Sequence, residues 1–284
     1  MGSLSAGGAG KTPFVLCLGE LLKQRGIQFD ILSRGYGRRT SGVAEVDPGG
    51  TAQLFGDEPL LLARGLRVPV VVGESRYDAG AFAEGRFGPQ LHLLDDGFQH
   101  RSLARDFEIV LLTAEDVTDR LLPAGRLREP LISLSRADAV VWSGGASAHM
   151  SDLNLPAVDR KTIWRITRNI VPGAVPGRPV AFCGIARPRN FFSQLKASGI
   201  VPIAEATYHD HRPYTARDVD HLLKLCEQKH GEGFVTTEKD AVNLGSLLAR
   251  LDPVAVVPLR VELENAANAL DTMLYTIREL KRKA

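Results

Sequence analysis

Five short runs, 29–33, 68–72, 91–94, 108–112 and 139–142, are apolar at nearly every position and are separated by stretches of helical spacing. A strand that is apolar on both faces needs cover on both, and a parallel sheet between helices provides it. Residues 12–25 read as one of those helices, with Pro13 in the first turn and Gly26 just past the end, where each residue fits best. The alternation predicts βαβ units and an α/β fold.

A chain of 284 residues exceeds the usual allowance of about 100–200 residues per domain. Pro and Gly crowd into 171–179, as in a linker crossed by few contacts. The expected division is therefore a domain of residues 1–177 and a smaller α/β domain of residues 178–284. In the second, strand candidates 180–183, 201–206, 234–236 and 254–259 alternate with helices near 190–197 and 215–229. Residues 265–283 carry Leu270, Met273, Leu274, Ile277 and Leu280 at helical spacing and end in Arg278, Lys281, Arg282 and Lys283. That pattern favours a docked helix with cations at its C-terminus, able to pack back on the first domain, over a membrane-surface helix.

Composition removes several classes. Hydrophobic residues at 44% and charged residues at 24% exclude a disordered or collagenous chain. A net charge of +2 is too balanced for a general nucleic-acid binder, so none is expected as a partner. Cys17, Cys183 and Cys226 are odd in number and lack a CxxC pair, which fits a reducing compartment and disfavours a zinc site. No apolar run approaches the ~20 residues that cross a bilayer, and Met1 to Leu4 carry no signal-peptide pattern.

The segment Ser5, Ala6, Gly7, Gly8, Ala9, Gly10, Lys11, Thr12 is a glycine-rich turn feeding a helix N-terminus, which turns backbone N–H groups toward phosphate oxygens. Lys11 would reach β- and γ-phosphates and Thr12 would hold Mg²⁺. The strict G-x-x-x-x-G-K-[ST] form has Gly where Ser5 stands, and an incidental glycine turn is the alternative. Downstream, Asp95 and Asp96 end an apolar strand, where open α/β sheets bind ligands. They are Mg²⁺ candidates, although Asp95-Asp96-Gly97 is also an ordinary turn. The loop 33–39, with Arg34, Arg38 and Arg39 among glycines, reads either as a solvated loop or as part of an acceptor region.

Taken in order, Gly7 to Pro13, Leu32-Ser-Arg-Gly-Tyr-Gly37, Gly56-Asp-Glu-Pro59, Asp95-Asp-Gly-Phe-Gln-His100 and Leu122-Pro-Ala-Gly-Arg-Leu-Arg-Glu129 resemble the tetraacyldisaccharide 4'-kinases of lipid A biosynthesis. Phe182-Cys-Gly-Ile-Ala-Arg-Pro188, Asp210-His211 and Thr237-Glu-Lys-Asp240 extend the resemblance over nearly the whole chain. It implies a P-loop NTPase-like, mostly parallel sheet with a second, smaller α/β domain. The implied activity is transfer of the ATP γ-phosphate, with Mg²⁺, to the 4'-hydroxyl of an acylated glucosamine disaccharide.

The same resemblance implies Asp57 as the base-like carboxylate near the acceptor hydroxyl and His211 as its partner from the second domain. Arg76 and Arg128 would clamp phosphate charge, Gln99 and His100 would face the sugar or the metal shell, and Glu129 would lie on the metal side. From the residues alone, Asp57 before Glu58 and Pro59 reads rather as a cap of the helix that follows than as a base. The resemblance also implies a lipid A disaccharide precursor as partner and a peripheral place on the cytoplasmic face of the bacterial inner membrane. The family sets a hydrophobic helix and a first strand before its phosphate loop. Only Met1 to Leu4 stand there, so either the start is misassigned or trimmed, or another element replaces that strand. Two other functions stay open: a P-loop ATPase or GTPase switch, and a non-catalytic nucleotide-binding protein. Against the switch, Ala6 replaces the leading lysine of the deviant switch-ATPase loop, and 237–240 supply no N-K-x-D.

Overall fold

Residues 1–143 and 161–283 are described by the structure, a computed structural model. In chain order the strands are β1 (Gly2–Ser3), β2 (Phe29–Ser33), β3 (Ala44–Glu45), β4 (Val70–Val72), β5 (Leu91–Leu94), β6 (Ile109–Leu112), β7 (Ala139–Trp142), β8 (Thr162–Ile170), β9 (Pro179–Cys183), β10 (Ala204–Thr207), β11 (Gly233–Thr237), β12 (Val254–Val257) and β13 (Leu259–Leu263). The helices are α1 (Lys11–Gln24), α2 (Ala52–Phe55), α3 (Asp57–Leu66), α4 (Arg76–Phe87), α5 (Ala114–Thr118), α6 (Pro188–Ala197), α7 (Ala216–Gln228), α8 (Glu238–Leu244) and α9 (Ala266–Lys283).

Two sheets form in the first half, β3-β4-β2-β5 and β1-β6-β7-β8-β13. Pairing is parallel except where β3 meets β4 and β13 meets β8. Met1 joins them across the seam: its backbone nitrogen donates to the Leu94 carbonyl at 2.8 Å, and its own carbonyl accepts from Gly97 N–H at 2.8 Å. Gly2 and Ser3 supply the strand ahead of the glycine loop, with Gly2 opposite Val110 and Ser3 opposite Leu111. Two residues suffice because the segment is hydrogen-bonded on both sides. Gly2 is needed there, since a Cβ would come 2.7 Å from Phe98 Cβ.

Strand periodicity sorts the first-half core onto two faces. Ile31, Val70, Val72, Leu111 and Val141 pack with Phe14, Val15, Leu18 and Leu22 of α1 and with Leu270 and Met273 of α9. On the other face Leu32 and Val71 meet Ala79 and Ala83 of α4, while Val110, Leu112, Val140 and Trp142 meet Leu4, Phe98 and Leu127.

The second-half sheet, β10-β9-β11-β12, is wholly parallel. Ala181 and Cys183 turn toward Phe191, Phe192 and Leu195 of α6, and Val180 and Phe182 toward Val219 and Leu222 of α7. The run read as one strand over 254–259 is two strands in different sheets. Pro258 separates them, having no N–H for a ladder. β13 pairs instead with β8, from Leu259 opposite Ile170 to Leu263 opposite Ile166. Residues 259–283 thus pack with the first half, although the Pro/Gly-rich segment lies at 171–179. Strand β8 has no counterpart in the sequence reading, because Arg165, Arg168 and Asn169 interrupt its apolar character.

Candidate functional site

Helix α1 opens on Gly10 at φ +84°, with no side-chain cap and no acid in the first turn. Its first N–H groups and the positive end of its dipole are therefore directed at the loop, a setting for an anion. Gly7 and Gly8 also hold positive φ, +80° and +75°. The loop is braced from behind: Ala6 N–H donates to the Arg126 carbonyl at 2.8 Å, Arg128 N–H donates to the Leu4 carbonyl at 2.7 Å, and Ser5 bridges to Leu127. Ser5, in the place of the motif's first glycine, is fully buried, as is Ala9.

A cleft of about 1440 Å³ lies over this loop, lined by Ala6, Gly7, Gly8, Gly10, Lys11, Thr12, Arg76, Asp95, Asp96, Gln99, His100, Arg128 and His211. That exceeds the roughly 300–1,000 Å³ of ordinary small-ligand pockets and leaves space for a second substrate beside a nucleotide. Arg76 is 3% exposed and spends one N–H on the Gly73 carbonyl at 3.2 Å, with its Nε unpartnered. Gln99 donates to the Ser3 carbonyl at 3.1 Å, propping the strand before the loop. His100 is held below the usual imidazole range by burial and by Arg76 and Arg105.

The two adjacent acids have opposite electrostatics. Asp95 is 1% exposed, accepts from Ser33 Oγ at 3.2 Å, and leaves Oδ1 without a protein partner. Burial, with Glu58 and Asp96 nearby, pushes its carboxyl up to about 7. For Asp96 burial acts the same way, but the Arg128 fork at 2.9 and 2.8 Å and Lys11 at 3.6 Å outweigh it and hold it at about 2. Thr12 and the orphaned Oδ1 of Asp95 make a sparse oxygen donor set. Among the described residues no cluster of three His, Cys, Asp or Glu side chains forms a metal cage. Mg²⁺ fits such a set, because it keeps several waters and takes one or two carboxylates together with substrate phosphates. Glu129 is tied to Arg101 at 3.3 Å and Arg136 at 2.9 Å and does not line the cleft.

Asp57 begins α3 and is 5% exposed, behind the cleft-lining Glu58, His211 and Lys239. His211 Nδ1 lies 3.1 Å from both of its carboxylate oxygens, Asn243 Nδ2 donates to it at 3.0 Å, and Lys239 Nζ is 3.8 Å away. Burial would raise this carboxyl, but these three neighbours hold it at about 2. His211 sits at φ +58° and meets the Tyr36 ring edge-on at 5.0 Å. The structure brings Asp57 and His211 together across 154 residues of sequence.

Two arginines that sequence reasoning gave no role also reach the loop. Arg187, from the 182–188 motif, binds Thr113 Oγ1 at 2.8 Å, Glu115 at 3.0 Å and Asp116 at 2.6 Å, and its stem packs on Gly8. Arg168, on the unforeseen β8, donates to the Ala9 carbonyl and leaves its Nε without a partner. Burial and Arg187 pull its pKa down to about 10. The 182–188 motif contains Arg187 without indicating its task, and no local signal marks Arg168, since the partners of both come from distant segments.

A parallel sheet, a glycine loop opening α1 and acids at the C-terminal end of β5 define a nucleotide-binding α/β protein of the phosphate-loop class. Sequence comparison narrows the class: the profile of the tetraacyldisaccharide-1-P 4'-kinases (LpxK) matches residues 1–278, and the chain belongs to that family. It is 47% identical to a tetraacyldisaccharide 4'-kinase of Koribacter versatilis, over 98% of this chain and 88% of that one. A Geobacter metallireducens enzyme of the same name is 37% identical over 93% and 83%. The fold is similar to the crystal structure of LpxK from Aquifex aeolicus in complex with ATP, at TM-score 0.73 and 34% identity, covering 97% of this chain and 86% of that one.

Proposed function

We propose that the chain transfers the γ-phosphate of ATP to the 4'-hydroxyl of a tetraacylated glucosamine disaccharide 1-phosphate, a step of lipid A biosynthesis. The observation that carries this reading is one cleft lined by both the phosphate loop and His211, whose Nδ1 lies 3.1 Å from Asp57.

In this reading the loop N–H groups and Lys11 bind the β- and γ-phosphates, with Arg76, Arg128 and Arg168 close enough to share the developing charge. Thr12 and Asp95 would hold Mg²⁺, which when bound neutralises charge between the β- and γ-phosphates. Gln99 and His100 line the acceptor's side. Asp57 accepts the proton of the 4'-hydroxyl, oriented by the His211 hydrogen bond. As that O–H bond breaks, the sugar oxygen forms a bond to the γ-phosphorus, and the bond from phosphorus to the bridging oxygen breaks with its electron pair leaving on ADP. We place residues 1–177 as the nucleotide-binding unit and 178–284 as a smaller unit that supplies His211, its last strand and helix, 259–283, packing back on the first. The acceptor's acyl chains put the site of action at the cytoplasmic face of the inner membrane. No helix among the described residues is long and apolar enough to cross it.

The test is transfer of labelled γ-phosphate by the purified chain to the lipid disaccharide 1-phosphate in mixed micelles. Acceptor-dependent labelling at the 4'-position supports the reading. ATP binding with hydrolysis alone, or no transfer at any Mg²⁺ concentration, would refute it.

A further inference from the structure

Thr237 to Asp240 form a motif to which the reaction described above gives no task. Two of its members are structural. Thr237 caps α8 through the Asp240 N–H at 3.1 Å, and Asp240, fully buried, accepts from Gly184 N–H at 2.7 Å and the Tyr214 hydroxyl at 2.8 Å. Their effect is to fix the first turn of α8 against β9 and so to aim Lys239, next to Asp240 in that turn. Lys239 Nζ lies 2.9 Å from Asp210, 3.5 Å from Glu58 and 3.8 Å from Asp57, and 3.2 Å from His211 Nε2.

Two nitrogens at 3.2 Å form a hydrogen bond only if one accepts. Surrounded by three carboxylates, Lys239 stays an ammonium and has no lone pair, so the acceptor is the unprotonated Nε2 of a neutral imidazole. We infer that Lys239 is a positioning residue for phosphoryl transfer: it occupies His211 Nε2, fixes the Nδ1–H tautomer, and so makes His211 a donor to Asp57. The consequence is chemical. With Nδ1–H given to Asp57 and Nε2 engaged, the imidazole has no free site for the acceptor's proton, and Asp57 is the member of the pair able to take it.

The groups facing His211 are Asp57 of α3, the Tyr36 ring, its neighbour Asp210, 3.7 Å from Nε2, and Lys239 of α8, with Asn243 holding Asp57 from the same helix and Glu58 paired to Lys239. Burial and Lys239 favour the neutral imidazole, and Asp57 and Asp210 favour its protonation, with the net direction upward. Removing Lys239 takes away one of the two opposing influences.

The inference rests on Asp57 as proton acceptor, and it is tested in two independent ways. The first uses the intact wild-type protein with ¹⁵N-labelled histidine, the His211 resonances being assigned by their loss in His211→Gln. The expected result near pH 8 is a protonated Nδ1 and an accepting Nε2; a protonated Nε2 overturns the inference whatever the activity. The second is the pH profile of kcat for Lys239→Met and Lys239→Arg, with ATP binding measured beside it. For Lys239→Met the acid limb should move up by about one pH unit, a tenfold loss on the limb, with the rate recovering at high pH and Lys239→Arg restoring the wild-type limb. An equal loss at every pH, or an unmoved limb, makes Lys239 a structural contact only. Wild-type transfer by Asp57→Ala would instead remove the assignment of Asp57 and leave the tautomer result standing.

Discussion

Burial alone pushes a carboxyl's pKa upward, and Asp57 moves the other way because His211, Lys239 and Asn243 surround it. Its value of about 2 in the folded chain, against 3.8 ordinarily, means the folded state prefers the carboxylate. That stabilisation is present above the unfolded value and is lost as pH falls through about 2. His211 has the opposite sign: raised by Asp57, it contributes below its ordinary 6.5 and loses that contribution as pH rises through its folded value. The stability gap between wild type and Asp57→Asn should therefore peak between about pH 4 and 6.5, at roughly 2 kcal/mol. Urea unfolding at a series of pH values measures it, and a gap that widens below pH 3 would contradict the assigned contacts. At the nucleotide end, Lys11→Ala should lower transfer by about 10²-fold or more, since it removes charge stabilisation that strengthens in the transition state. Asp95→Asn should raise the Mg²⁺ concentration needed for half-maximal rate. Arg168→Gln should weaken ATP binding while leaving adenosine binding unchanged, as equilibrium titration of both ligands would show.

At the scale of elements, the loop between β1 and α1 is shaped as much by what presses on it as by its own glycines. A Cβ on Gly8 would lie 2.6 Å from Arg187 Cγ, and Arg187 cannot swing away freely because Thr113, Glu115 and Asp116 hold its guanidinium. Gly8→Ala also places an L side chain at φ +75°, so it should displace the loop and lower kcat/KM for ATP by about 10²-fold. Pairing it with Arg187→Ala removes the clash but not the φ strain and should recover part of the loss. Steady-state kinetics of the three variants decide between contact and strain. Strands 29–33, 91–94 and 139–142 were legible to the residue because each is apolar at nearly every position, only Asp30, Ser33 and His92 interrupting. Strand β8 was not, since its arginines serve the cleft and break the pattern, and β13 was hidden behind Pro258. The glycine loop and Asp95 were legible because they are local. Lys239, Asn243, Arg168 and Arg187 act on partners far away in sequence, where periodicity and spacing carry no information. Asp57 and His211 were reached only through family resemblance.

At the scale of the whole molecule, the chain crosses between its halves at two adjacent places, Ile170 to Val171 and Pro258 to Leu259, and Val171 N–H donates to the Pro258 carbonyl at 3.0 Å. Around this narrow connection the second half reaches the first at the phosphate loop, through Arg187 and through Asp210, which would lie 3.4 Å from a Cβ on Gly7, and at Asp57, through His211, Lys239 and Asn243. Helix α8 also packs on α3 and sends Val242 into the first-half core, so the second half is held against the first beside the cleft, and we propose that the carboxylate and the imidazole act as one functional unit supplied from two sides. Residues that act as a unit lose most of their effect at the first deletion. Asp57→Ala, His211→Ala and the double variant should therefore phosphorylate the lipid disaccharide at similar, strongly reduced single-turnover rates, with ATP affinity within about threefold of wild type because neither residue touches the phosphate loop. Multiplicative losses would mean that the two act independently. A normal rate for His211→Ala would reduce its 3.1 Å contact with Asp57 to a tie between the halves, and the source of the base's orientation would then have to lie with Asn243.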